Sequence, residues 1–366
     1  MSIQTVVPEQ YEQQLNDKVE RLSEQLRGHF SHLTLPDIER FESPKSHYRM
    51  RAEFKLWHDG DICYHVMHKP GDYKTRYRVD TFPVAGELIN ELMPKLIDQL
   101  HSCEILKRKV FQVEYLTTTT GQAVISLIYH KVLNEEWQTA ATQLASDLGV
   151  SVIGRSRKQK VIVGEDYVEE TLQVNGRDYH YQQVETGFTQ PNAKVCEKML
   201  SWAQTASEGL KGDLLELYCG NGNFTLPLAQ QFDKVLATEI SKTSVNSALY
   251  NLEKNGVDNV TIVRMSSEEF SEAMDGIRPY RRLKDIDLPS YDFSTIFVDP
   301  PRAGLDDHTV EIVKGFDNII YVSCNPETLI DNLKSITETH AIERFAVFDQ
   351  FPYTHHLECG VILRRK

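Results

Sequence analysis

At 366 residues, 40% of them hydrophobic, the chain is long enough for two globular domains and too apolar to be a disordered one. Its formal net charge of -13 excludes a uniformly basic surface, so a nucleic-acid partner would have to be met by local cationic patches. The opening residues do not read as a charged-then-apolar leader, and no apolar run nears the roughly 20 residues of a membrane span. A cytoplasmic location with no membrane partner is therefore expected. The six cysteines form no C-x-x-C pair, which argues against a zinc knuckle or an iron–sulfur cluster, and no metal is expected.

In chain order, the spacing of Tyr11, Leu15, Val19, Leu22 and Leu26 predicts an amphipathic helix over 9–27, with Gly28 as its stop. The Pro-containing stretch 35–46 reads as a connection. Short apolar or alternating runs at 51–57, 63–68, 110–117, 123–128, 150–154 and 161–164 predict strands, with helices near 84–103 and 133–148. From about residue 181, strands at 214–217, 235–239, 260–263, 295–299 and 319–324 alternate with helices such as 244–255. Two final runs, 345–351 and 360–363, lie too close for a helical crossover and predict an antiparallel hairpin at the sheet edge. The expected fold is α/β: a doubly wound, mostly parallel Rossmann-like sheet with an antiparallel C-terminal hairpin, plus a smaller α+β domain. The expected division is a helical extension over 1–47, the α+β domain over 48–179 and the Rossmann-like domain over 180–366.

The run from Asp213 to Phe224 is a buried strand entering a glycine-rich turn. Gly220 and Gly222 permit a tight turn and close approach of a ligand. Glu239, at the end of the next strand, is placed to accept hydrogen bonds from the two ribose hydroxyls of an adenosine. A dinucleotide would want a third glycine where Thr225 stands, and Glu216 inside the strand would repel a pyrophosphate. The same acidity suits the positively charged sulfonium of S-adenosylmethionine, the expected cofactor. NAD and a purely structural turn are the alternatives.

Two further motifs end strands on the same side of the sheet: Asp299-Pro-Pro-Arg302 and Ser323-Cys-Asn-Pro326. In open α/β sheets the ligand crevice lies at the carboxyl ends of the strands. Cys324 is thus a candidate nucleophile rather than a small buried apolar residue. A thiolate adding to C6 of a uracil makes C5 nucleophilic enough to take a methyl group. The site must favour the thiolate, and Arg302 is a candidate for that, or for binding the base or a phosphate. A later proton abstraction from C5 needs a base. Glu358 is available, although its position alone suggests a solvated hairpin carboxylate.

These motifs, Gly187-Phe-Thr-Gln190-Pro-Asn192, Leu217-Tyr218-Cys-Gly220-Asn-Gly-Asn223, Asp299-Pro-Pro-Arg-Ala-Gly304, Ser323-Cys-Asn-Pro326 and Thr354-His-His-Leu-Glu358, resemble in order those of the RNA uracil-5 methyltransferases. The resemblance implies Cys324 as nucleophile and Glu358 as base. It also implies cofactor contacts from Gln190, Tyr218, Asn223, Glu239 and Asp299, beside Gly220 of the turn. Ribosomal-RNA members carry a leading OB-like domain and a cysteine-clustered iron–sulfur site. This chain lacks the cluster and has no obvious room for that domain before Tyr48, so it looks most like the bacterial tRNA (uracil-5-)-methyltransferases. The resemblance implies methylation of the T-loop uridine to ribothymidine, with the tRNA T-arm as partner and other RNAs with T-loop-like folds as further candidates.

The middle domain interleaves cations with aromatics, in 45–51 (with Tyr48, Arg49 and Arg51), at Lys69 and in 73–78. Basic clusters at 107–109 and 155–160 add to them. Cations meet phosphates and aromatic faces stack on unpaired bases. Tyr48, Arg49, Arg51 and Arg302 are the expected substrate contacts, and a monomer is expected. Ribosomal RNA as substrate, or a noncatalytic RNA-binding or chaperone role, are the alternatives.

Overall fold

The computed structural model describes residues 6–69 and 71–366; the Tyr73 side chain, one end of the 73–78 cluster, lies outside the described residues, as do residues 1–5 of the expected extension. In chain order, β1 is Ile38–Phe41, β2 Arg51–Asp59, β3 Ile62–Lys69, β4 Asp72–Arg78, β5 Val110–Thr117, β6 Ala123–Tyr129, β7 Ser151–Ser156 and β8 Gln159–Val163. Then come β9 Tyr167–Val174, β10 Arg177–Val184, β11 Asp213–Leu217, β12 Val235–Thr238, β13 Val260–Val263, β14 Phe293–Val298, β15 Asn318–Ser323, β16 His340–Phe348 and β17 Glu358–Arg365.

Two compact units result. The first is built mainly from Pro44–Thr171 and Gln183–Ala193, the second from Gln10–Ser43, Leu172–Gln182 and Lys194–Lys366. The dividing lines pass through β9 and β10, which pair with each other. These boundaries differ from a division at 47/48 and 179/180. Residues 10–43 are not a separate extension. The helix Tyr11–His29 lays Tyr11, Leu15, Val19, Leu22 and Leu26 into the same apolar cluster as Ile319, Tyr321, Val361 and Leu363 of the second unit's sheet. Gly28 does not stop that helix, which runs on to His29.

The first unit carries a seven-stranded sheet in the order β4-β3-β2-β5-β6-β7-β8. Its pairings are antiparallel except β6 with β7. One face is closed by the helices Glu87–Ser102 and Glu135–Leu148, whose Leu92, Leu96, Trp137 and Leu144 pack on Phe54, Val113, Ile125 and Leu127. The alternation in β2 drives this: Ala52, Phe54 and Leu56 face the core, while Glu53, Lys55 and Trp57 face outward.

The second unit carries an eight-stranded sheet in the order β1-β16-β17-β15-β14-β11-β12-β13. The β11–β15 pairings are parallel, and β17 lies antiparallel between β15 and β16. The expected hairpin is there, but not at the edge. The stretch read as a connection contains β1, which pairs parallel with β16, and Arg344 grips Glu39 through two hydrogen bonds of 2.8 and 2.7 Å. β11 and β14 are buried on both sides, as crossover helices on both faces require.

Candidate active site

The first constellation follows β11. The backbone leaves Leu217 through three left-handed residues, Tyr218 (φ 63°), Gly220 (φ 58°) and Gly222 (φ 81°). At Tyr218 this conformation is strained for a bulky side chain. Its hydroxyl donates to Ser267 Oγ at 2.7 Å, and the next N–H, of Cys219, donates to the Thr238 carbonyl at 3.0 Å. Glu239, just past β12, accepts from the N–H groups of Gly220 (3.0 Å) and Ser241 (2.7 Å), which fixes its carboxylate against the turn. The Asn223 amide lies against the Cys196 thiol, with Nδ2 3.4 Å from Sγ, and its carbonyl accepts from the Tyr181 hydroxyl at 2.9 Å. The helix after the turn is a single turn, Thr225–Leu228, too short to offer a pyrophosphate much of a dipole.

Under this turn lies Glu216, only 1% exposed, and its Oε2 has no hydrogen-bond partner. Burial pushes its carboxyl up to about 8. Asp299, at the end of β14, is pushed up to about 7, also by burial. The Asp299 carboxyl adds to the upward shift of Glu216, and a positive charge brought between the two would favour both ionised forms.

The second constellation is at the ends of β15 and β17. Their ladder closes on the pair Ser323–Cys359, so Cys324 and Glu358 take the next opposed positions. Glu358 is not a solvated hairpin carboxylate. It is the first residue of β17, paired with Phe348 of β16, and only 4% exposed. Burial pushes it up to about 8, the nearby Asp299 adds to this and Arg302 opposes it. Cys324 is partly exposed. Burial, then Glu358 and Asp299, push its thiol up to about 11, while Arg302 pulls it down. The Arg302 loop is tied to the Cys324 loop: the Arg302 carbonyl accepts from Asn325 Nδ2 (3.0 Å) and Thr328 Oγ1 (3.3 Å). Asn325 also caps the helix Pro326–Ile336 by accepting from the Glu327 N–H at 3.2 Å. The His355 and His356 rings lie 4.1 Å apart, and among the described residues no group of three His, Cys, Asp or Glu side chains is arranged to hold a metal.

The second unit thus brings together Tyr218, Gly220, Asn223, Glu239, Asp299, Arg302, Cys324 and Glu358. Gln190 belongs to the first unit, with Tyr48, Arg49 and Arg51. There the Pro191 carbonyl accepts from the Met50 N–H at 2.8 Å, and Arg49 forms a bridge with Asn192. Buried Gln190 Oε1 and buried Nε and Nη2 of Arg51 have no hydrogen-bond partner. Tyr48 is 3% exposed and presents no open ring face for stacking.

The outward face of β2–β4 offers such rings. Arg76 lies over the Trp57 ring at 3.2 Å and Arg78 over Tyr64 at 5.1 Å, with Trp57 and Tyr64 directly opposed. Trp57 was not singled out in the sequence. The alternation that buries Phe54 and Leu56 is the signal that puts it outside. Two of the four cations of the basic cluster 155–160 are neutralised: Arg155 pairs with Glu185, and Lys160 with Asp166 (2.6 Å) and Glu185 (3.0 Å).

Residues 10–366 match the family model described as tRNA (Uracil-5-)-methyltransferase. A protein of Saccharophagus degradans named tRNA/tmRNA (uracil-C(5))-methyltransferase is 59% identical, with 98% of each chain covered. One of the same name from Vibrio parahaemolyticus is 54% identical, with both chains fully covered. Among solved structures, Pyrococcus abyssi tRNA (uracil-54, C5)-methyltransferase in complex with S-adenosyl-L-homocysteine superposes with a TM-score of 0.72 at 21% identity, covering 96% of this chain and 83% of that one, a likeness of fold.

Proposed function

The chain belongs to the tRNA (uracil-5-)-methyltransferase family, and from that premise we propose that it methylates C5 of the T-loop uridine of tRNA to ribothymidine through a covalent Cys324 intermediate. The observation that carries this reading is the opposition of Cys324 and Glu358 across the end of the β15–β17 ladder, with Asp299 and Arg302 acting on both.

The residues present fit S-adenosylmethionine. Glu239 is already held against the glycine turn as a ribose acceptor, and the buried carboxyls of Glu216 and Asp299, one with an unpartnered oxygen, suit a cation. Tyr218, Gly220, Asn223 and Glu239 line the turn that would hold it. When bound, it supplies an activated methyl group on a sulfonium, which a nucleophilic C5 accepts.

The protein's own residues do the rest. Arg302 favours the Cys324 thiolate against burial and two carboxyls. The thiolate adds to C6, forming an S–C6 bond and moving the C5–C6 π pair to give an enolate nucleophilic at C5. After methylation, Glu358 as carboxylate takes the C5 proton. The C–H electron pair re-forms the C5–C6 double bond, the S–C6 bond breaks and the thiolate returns. The net change at the uracil is one methyl gained and one proton lost. Burial of Glu358 suits this, because a base held near neutrality is effective at cellular pH. The target base must leave its stack to reach Cys324, at a cost of a few kcal/mol.

The relatives' shared name adds tmRNA to tRNA as a substrate class, and identity of 59% along nearly the whole chain favours these over ribosomal RNA. Release of tritium from [5-³H]uridine-labelled tRNA in the presence of S-adenosylmethionine tests the reading. Release matching methyl incorporation one for one is expected; methyl incorporation without it would overturn C5 as the target.

A further inference from the structure

The loop 349–357, which delivers Glu358 to the site, is held from the opposite end of the chain. Asp349 is fully buried, and the Lys18 ammonium of the helix Tyr11–His29, itself 6% exposed, pairs with its Oδ1 at 2.7 Å. Lys18 also donates to the Phe351 carbonyl at 3.0 Å. One turn earlier on the helix, Gln14 Nε2 donates to Asp349 Oδ2 at 2.9 Å, and its Oε1 accepts from the Tyr353 N–H at 3.2 Å. The Tyr11 ring meets that of Tyr353 edge-on, with centroids 6.1 Å apart. Tyr353 itself is held at φ 60°, a conformation that a bulky residue keeps only when its surroundings enforce it. From there the loop closes on itself: Thr354 Oγ1 donates to the Phe351 carbonyl at 2.8 Å and accepts from the His356 N–H at 3.2 Å, and Leu357 is sunk in the core.

A surface helix that needed only to cover a sheet would do so with its apolar stripe. Burying a lysine is unfavourable unless the pair does something else, such as fixing one register of helix against loop. We infer that Gln14 and Lys18 are positioning residues: the N-terminal helix sets the carboxylate of Glu358 through this polar clasp, so that proton abstraction from C5, and not methyl transfer, depends on it. The inference rests on the reading of Glu358 as the base.

Gln14→Leu removes the Gln14 half of the clasp, its bonds to Asp349 and Tyr353, without stranding a buried charge, and Lys18→Met removes the other half. Each is compared with wild type and Glu358→Gln for tritium release from [5-³H]uridine-labelled tRNA, for the fraction of enzyme in denaturant-resistant adduct with RNA at steady state, and for kcat/KM of S-adenosylmethionine. Tritium release by Gln14→Leu is expected to slow by about tenfold, with the adduct fraction raised and kcat/KM for the cofactor unchanged, because methyl transfer precedes the slowed step. Mere loss of stability would reduce the amount of active enzyme without raising the adduct fraction, so Lys18→Met is read on its soluble, folded portion. If Glu358→Gln accumulates adduct and Gln14→Leu behaves as wild type, the clasp has no role in positioning. If Glu358→Gln itself accumulates none, the base assignment fails first and takes the inference with it.

Discussion

Cys324 and Glu358 face one another one step beyond the last pair of the β15–β17 ladder, and the Glu358 carboxyl adds to the burial that pushes the Cys324 thiol up. The sulfur is therefore a poor thiolate in the free protein, and needs help. Cys324→Ala removes the thiol proposed to add to C6. It should abolish methylation and the adduct with RNA containing 5-fluorouridine, whose fluorine cannot leave as a proton does. Wild type should form that adduct with S-adenosylmethionine present. Turnover by Cys324→Ala would show that C5 is activated some other way.

The pH dependence follows from the same pair. With the Cys324 thiol at about 11 and Glu358 at about 8, both are mostly protonated at pH 7, and the active forms of both grow as pH rises. kcat/KM should therefore climb between pH 7 and 9, at least tenfold overall. Arg302 opposes the thiol's upward shift, so Arg302→Ala should raise the Cys324 pKa further. Iodoacetamide alkylation of Cys324 at pH 8.5, measured without RNA, should then slow. An unchanged rate would leave Arg302 a substrate contact only.

How much of this was legible in sequence depends on where each residue's environment comes from. β11, β12, β14 and β15 were readable because strands buried on both faces are continuous apolar runs. β1 was not: Ile38-Glu-Arg-Phe41 is short and charged, and is a strand only because Phe345–Phe348 pairs with it and Arg344 meets Glu39. β4 reads as a basic cluster and not as a strand, since its outward residues are cations that hide its alternation. β9 and β10 did leave a signal, the Asn175-Gly176 pair, both residues left-handed as a tight hairpin turn demands. The Cys324 site was legible because strand ends in a parallel sheet converge by topology. The burial of Glu358 was not, because it comes from the placing of β17 between β15 and β16, and the clasp by Lys18 and Gln14 was not, because it joins segments more than 300 residues apart.

Glu216 offers a test of the sulfonium argument. Its folded value of about 8 lies well above the roughly 4.3 of an unfolded glutamate, so the folded protein keeps a proton the unfolded chain releases. The stability this contributes is complete below about pH 4 and is lost as pH rises through about 8. Glu216→Gln, neutral at every pH, should gain on wild type by on the order of 2 kcal/mol between pH 5.5 and 8.5 in denaturant unfolding. It should also bind S-adenosylmethionine less tightly while its affinity for S-adenosylhomocysteine, whose sulfur is a neutral thioether, changes little. Equal losses for both ligands would remove the electrostatic role.

Glu239 should behave differently, because its carboxylate is fixed by Gly220 and Ser241 at the turn and not by the reacting groups. Glu239→Ala should raise the KM for S-adenosylmethionine by about ten- to a hundredfold and leave kcat nearly intact, the mark of lost uniform binding. A matching fall in kcat would place Glu239 in the transition state instead.

The outward face of the first unit's sheet separates charge from stacking. Arg76 and Trp57 lie in contact, yet only one can neutralise a phosphate. If this face meets RNA, Arg76→Ala should weaken tRNA binding and lower the slope of log affinity against log salt by about one. Trp57→Ala should weaken binding by about 1–3 kcal/mol and leave that slope unchanged, because a stacked base releases no counterion. Parallel salt titrations of both variants decide the matter. Wild-type affinity in both would move the RNA contacts to Arg51 and Gln190, whose buried, unpartnered nitrogens and oxygen lie elsewhere in the same unit.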